Sequence, residues 1–233
     1  MRYPCYNRKK QLFGAGTYKE SAVSAVLYGL AAGGIYLKQV NWKHCYVTVI
    51  LVGINIAIYI LGIAAFDEVM YDRGSLNAQS VLAKKELYRM VSCMFLHAGI
   101  DHLVGNMIFL AALGEMLEPK IGHLSFGILY IISGIGSSIA SLIYRILTMQ
   151  FYNSVGASGA INGLIGALLF LVVLHNGYYG SISLRRIVLA IAYMVYSGLQ
   201  STVTDNAAHI GGLVCGFFCM LFLHIIKQSR HRG

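Results

Sequence analysis

Val155-Gly156-Ala157-Ser158-Gly159-Ala160-Ile161-Asn162-Gly163 opens a segment that stays apolar as far as Leu174. It sets one hydroxyl among the smallest residues, at the head of a run long enough for a membrane helix. Ser158 is the candidate nucleophile. Glycines close by leave backbone that other groups can approach, and Gly163, Gly166 and Ala167 give the following helix a small face for tight packing. Small residues around a serine also serve packing alone, so the motif gains catalytic meaning only from the rest of the chain.

Working outward, 57% of the 233 residues are hydrophobic and 12% are charged, with 26 glycines and a mean hydropathy of +0.65. Soluble domains are about half apolar and about a quarter charged. The composition therefore predicts an all-α polytopic membrane protein, one membrane domain with several spans of about twenty residues each. The net charge of +9 gathers at the two ends and beside apolar spans, where it sets orientation and meets anionic lipid. Nucleic acid is excluded as a partner on that ground. Cys5, Cys45, Cys93, Cys215 and Cys219 lack metal-ligand spacing and read as core residues.

Residues 1–45 form a basic cytoplasmic or interfacial segment in which Ser21 to Leu37, interrupted by Gly29, Gly33 and Gly34, is short for a span. We expect that stretch to be interfacial or re-entrant. Six spans follow over residues 46–226: Tyr46 to Phe66, His102 to Leu117, Leu124 to Tyr144, Val155 to Leu174, Ile187 to Thr202 and Ala207 to Ile226. A long outer loop joins the first two, and the alternation of Leu82, Leu87, Tyr88 and Met90 with Lys84, Lys85, Glu86 and Arg89 predicts an interfacial amphipathic helix over Val81 to Val91. Residues 227–233 make a basic tail. Lys120, Arg185, Arg186 and the two termini fall on one side, which makes it the cytoplasmic one. Lys84, Lys85, Arg89 and Arg145 are the exceptions on the outer face. The absence of a transit peptide favours a bacterial plasma membrane.

With this topology the second, fourth and sixth spans descend in parallel from the outer surface, and each carries unusual polar groups near its start: His102 with Asn106, Ser158, and His209. Ionisable groups inside a membrane are costly and face a protein interior or a wet cavity. All four groups should share one layer within about 10 Å of the outer boundary. Serine needs a base to become a nucleophile, and neutral imidazole supplies one at physiological pH. His209, in Ala207-Ala208-His209-Ile210-Gly211-Gly212, is the candidate base, brought near by Gly211, Gly212 and Gly216. His102 and Asn106 lie on one helical face and offer N–H donors to an oxyanion beside the Ser158 amide, with interhelical hydrogen bonding as the alternative use. Asp205 reads as a helix cap, which leaves a dyad and no triad. His97, His102 and His209 lack zinc-site spacing, so no metal and no other cofactor is expected.

These residues resemble the rhomboid family of intramembrane serine proteases. The shared features are Gly156-Ala157-Ser158-Gly159, Ala208-His209-Ile210-Gly211-Gly212, the run Phe95 to Met107 with His102 and Asn106, and the spacing from Glu118 to Gly122. The resemblance covers about residues 46–226. It implies a six-transmembrane-helix bundle with a long outer first loop, a Ser158–His209 dyad, and an oxyanion hole of the Ser158 amide, His102 and Asn106. It also implies transmembrane protein substrates cut at a small residue near the outer end of a destabilised helix. The fifth span, around Tyr193, Tyr196 and Ser197-Gly198, is the lateral gate by the same analogy. The family's frequent Trp-Arg pair is Tyr88-Arg89 here. Two rivals, a catalytically silent binder of client helices and a transporter, are weaker. The chain keeps both dyad residues, and its polar groups sit near one face without an internal repeat.

Overall fold

The computed structural model describes residues 44–150, 152–200 and 204–232, so the expectation for Ser21 to Leu37, and Cys5, lie outside the described residues. Helix α1, Tyr46–Leu61, continues through a π-helical turn, Gly62–Phe66, into α2, Asp67–Gly74. Two short helices follow in the outer loop, α3 (Ala78–Leu82) and α4 (Arg89–Ser92). The bundle is completed by α5 (Ile100–Ile121), α6 (His123–Thr148), α7 (Ser158–Leu174), α8 (Leu184–Leu199) and α9 (Asn206–Arg232). A two-stranded antiparallel hairpin, β1 (Tyr178–Tyr179) and β2 (Ile182–Ser183), joins α7 to α8.

Four stretches among the described residues are long and apolar enough to cross a membrane, Tyr46–Ala64, Ile100–Ile121, His123–Thr148 and Asn206–Ser229. The central α7 is shorter, at 17 residues, and apolar nearly all round. Such a helix has no polar face to turn to water, and it is accordingly enclosed by its neighbours. It packs on α9 and α6, while α1 leans on α5. At about 25 Å, α7 is shorter than the ~30 Å hydrocarbon layer.

The interfacial helix expected over Val81 to Val91 does not form. The chain breaks at Ala83 to Tyr88, with Lys85 in the left-handed region at φ 60°, because Arg89 is drawn inward instead of snorkelling. Its Nε donates to Glu86 at 2.6 Å, and its Nη1 donates to the carbonyls of Asp72 and Ser75 at 2.7 and 3.0 Å. A guanidinium with three acceptors folded around it fixes a loop, and the alternating pattern around it was loop packing. Tyr88 donates its hydroxyl to Arg73 O at 3.1 Å.

Glu118 ties α1 to α5. The first turn of α1 has no side-chain cap of its own, and the fully buried Glu118 carboxylate accepts from the Val47 and Thr48 amides, both at 2.8 Å, and from Thr48 Oγ1 at 2.6 Å. His123 Nδ1 lies 2.6 Å away. Gly114 makes room for this, since a Cβ there would collide with the Thr48 side chain.

Candidate active site

Ser158 is the first residue of α7, three residues later than the expected start of the fourth span. The lead-in is extended. Leu76 and Ser154 exchange backbone hydrogen bonds at 2.9 and 3.1 Å, and the Gly156 amide donates to Cys93 O at 2.9 Å. The first amides of a helix have no intrahelical acceptor, and their dipoles favour negative charge. The Ser158 N–H is one of these.

His209 lies in the first turn of α9, and its Nε2 is 2.9 Å from Ser158 Oγ. The two small-residue helices bring this about. A Cβ on Gly212 would meet Gly159 O, one on Gly216 would meet Gly163 O, and one on Gly166 would meet Leu213 O. Gly211, expected on the same face, turns instead towards Ala140 of α6. His209 Nδ1 has no hydrogen-bond partner among the described residues, so Asp205 does not orient it as a third member.

Gly156 lies between Ser158 and His102. A Cβ built on it would stand 2.7 Å from His102 Cε1, 2.9 Å from His102 Nε2 and 3.7 Å from Ser158 Oγ. Asn106, one turn below, donates one of its two amide hydrogens to His102 O at 2.9 Å, and the second hydrogen remains for another acceptor. His102, Ser158 and His209 thus meet at one level of the bundle, with Asn106 just beneath. His97 stands edge-on to His102, ring centroids 5.2 Å apart. Burial, with the neighbouring His102 second, lowers its pKa to about 3, so it is a neutral neighbour at physiological pH.

Asp205 does cap α9, accepting from the Ala208 amide at 3.0 Å. Its other oxygen does more than the sequence foretold: it accepts from Ser141 Oγ and from Arg145 Nη2, the latter at 2.8 Å. Burial would raise this carboxyl, but the Ser141 hydroxyl, the Ala208 amide and the Arg145 guanidinium together hold it below the usual carboxylate range. Arg145 is fully buried. The sequence signal for it was its violation of the charge rule, a cation expected on the outer side. No group of three or more His, Cys, Asp or Glu side chains that could hold a metal occurs among the described residues.

The arrangement offers a hydroxyl hydrogen-bonded to an imidazole, beside a free helix amide and two further N–H donors. The model of the Rhomboid domain matches residues 84–226. RHOMBOID-like protein 6, mitochondrial, of Arabidopsis thaliana is 40% identical over 67% of this chain and 50% of its own length. Rhomboid protease GluP of Bacillus subtilis (strain 168) is 34% identical over 64% of this chain and 29% of its own. YdcA of the same bacterium is 34% identical over 64% of this chain and 73% of its own. The chain thus spans half or less of the length of the first two relatives.

Proposed function

As a chain that belongs to the rhomboid family, this one is, we propose, a serine endopeptidase that cuts transmembrane segments of membrane proteins near the outer face of the bilayer. The observation that carries the reading is the 2.9 Å contact between Ser158 Oγ and His209 Nε2. His209 accepts the Ser158 proton as Oγ attacks the scissile carbonyl, and the carbonyl oxygen gains the negative charge. The Ser158 amide, His102 and the unused hydrogen of Asn106 donate to that oxyanion. His209 then gives the proton to the departing amine, which leaves an acyl ester on Ser158. Water, deprotonated by His209, attacks the ester and restores the hydroxyl. No cofactor is needed.

A helical substrate has its carbonyls hydrogen-bonded, so it must unwind locally before Ser158 reaches one. Ser158 and His209 both lie in the first turn of their helices, which favours a site near one face, where water is at hand. Amphipathic α8, with only Ile187 and Gly198 fully buried along its length, supports its expected role as the side from which substrate enters. The protein is a multi-pass membrane protein. We assign both ends of the bundle to the cytoplasmic face from the charge of its loops. The relatives named above, one from a plant and two from a bacterium, do not decide the expected bacterial plasma membrane, and the most similar of the three is the plant protein.

The test is labelling of the detergent-solubilised protein by a fluorescent fluorophosphonate, beside Ser158→Ala and His209→Ala. Wild type should label and both variants should not. Asn106→Ala should lower turnover of a membrane substrate by roughly 10². A folded wild type that resists labelling would favour a silent binder of client helices, for which Ser158→Ala keeps full function.

A further inference from the structure

Arg145 sits near the end of α6, away from the reacting atoms, yet it touches the lead-in to each member of the dyad. Its Nη1 donates to Tyr152 O at 2.7 Å and to Leu76 O at 3.0 Å. Tyr152 lies six residues before Ser158, and Leu76 is the backbone partner of Ser154 in the extended lead-in. Its Nη2 donates to Asp205, four residues before His209, at 2.8 Å. The guanidinium carbon also stands 4.2 Å from the centre of the Tyr152 ring. One planar, rigid fork therefore joins the outer loop, the strand that delivers Ser158 and the cap that starts the helix of His209.

We propose that Arg145, with Asp205, is a positioning pair that sets the height and distance of His209 relative to Ser158. The reason is geometric. Ser158 and His209 lie on different helices, each at the first turn, where helix ends fray and fewest backbone bonds hold them. The contacts of Gly212 with Gly159 and of Gly216 with Gly163 fix the spacing of α7 and α9 from the second residue of α7 downward. The lead-ins above those contacts are bridged by Arg145, which holds both Tyr152 and Asp205. Lysine cannot replace it, because one ammonium has no fork to span Leu76 O, Tyr152 O and Asp205 together. This inference rests on the protease reading of Ser158 and His209.

The experiment measures the rate of fluorophosphonate labelling, and kcat and KM on a membrane substrate, for the wild-type chain, Arg145→Lys, Asp205→Asn and the double variant. Asp205→Asn keeps an oxygen for the Ala208 amide but puts an NH2 donor where the oxygen accepts from Ser141 and Arg145, so it breaks the pair while leaving the cap, and tests the proposal even where Arg145→Lys fails to fold. The folded fraction is taken from thermal unfolding, and rates are expressed per folded molecule. Misplacement of reacting groups by about 1 Å can cost 10² in rate. Both single variants should therefore label ten-fold or more slowly, with kcat falling in parallel and KM within two-fold of wild type. The double variant should be no slower than the slower single one, because both act through one bridge. Variants that melt earlier but label at the wild-type rate per folded molecule would overturn the proposal, as would losses confined to KM or single effects that multiply. Absence of labelling in wild type would instead overturn the protease reading, and this proposal with it.

Discussion

Gly156 is the position where one added methyl group matters most to the chemistry. Its φ of 131° is a region that side-chain-bearing residues rarely adopt, and the new Cβ would press on the ring of His102. Gly156→Ala should cost about 1–3 kcal/mol of stability from strain and lower kcat by about 10² through displacement of the donor. Thermal unfolding and steady-state kinetics check the two parts separately; a variant with wild-type kcat would remove His102 from the oxyanion site. Asp205 gives a pH prediction. Its folded carboxyl is depressed, so its stabilisation is complete above the unfolded value of about 3.9 and disappears as pH falls through the lower folded one. The stability gap between wild type and Asp205→Asn should be constant from neutral pH to about 4 and shrink below it. Melting temperatures across that range decide, and a gap that persists undiminished into strong acid contradicts the assignment.

At the scale of elements, the decisive contact is between α7 and α9. Van der Waals packing drives helix association where lipid tails already satisfy apolar surface, and small residues allow the closest approach. Gly216 faces the backbone of Gly163 directly, and backbone has no rotamer by which to yield. Gly216→Ala should destabilise the protein by about 3 kcal/mol, at the upper end of overpacking costs, and should lower turnover in the fraction that still folds. Reversible unfolding in detergent measures it, and a neutral result would mean the helices can part without loss. The helices themselves were legible in sequence because a span needs a long apolar run whatever its neighbours. The outer loop was not: the pattern from Val81 to Val91 fits an interfacial helix equally well until Arg89 is seen to turn inward onto Asp72 and Ser75. Gly180, at φ 60°, marks the turn of the β1–β2 hairpin, too short a strand pair to leave a periodic signal.

For the molecule as a whole, the charge pattern predicts an orientation that can be tested without a substrate. In a background with the native cysteines replaced, a cysteine at Lys85 should react with an impermeant thiol reagent applied from outside intact cells. One at Gln228, near the end of α9, should react only after permeabilisation. The opposite pattern would invert the whole topology and place the start of α7 on the cytoplasmic side.

Sequence by itself determined the membrane class, four of the six expected spans as long apolar helices, and the four polar residues near the helix heads. Hydropathy, loop charge and ionisable groups within apolar runs are local quantities, written residue by residue. The tertiary structure decided which of these groups meet. That His209 Nε2 faces Ser158 Oγ at 2.9 Å, that Gly211 turns to α6 while Gly212 turns to α7, and that Arg145 reaches Asp205 across 60 residues of chain all depend on helix rotation and crossing. Those are set by packing between segments distant in sequence. The same holds for Arg145, an outlier in the charge pattern, whose burial becomes intelligible only when Leu76, Tyr152 and Asp205 close around it.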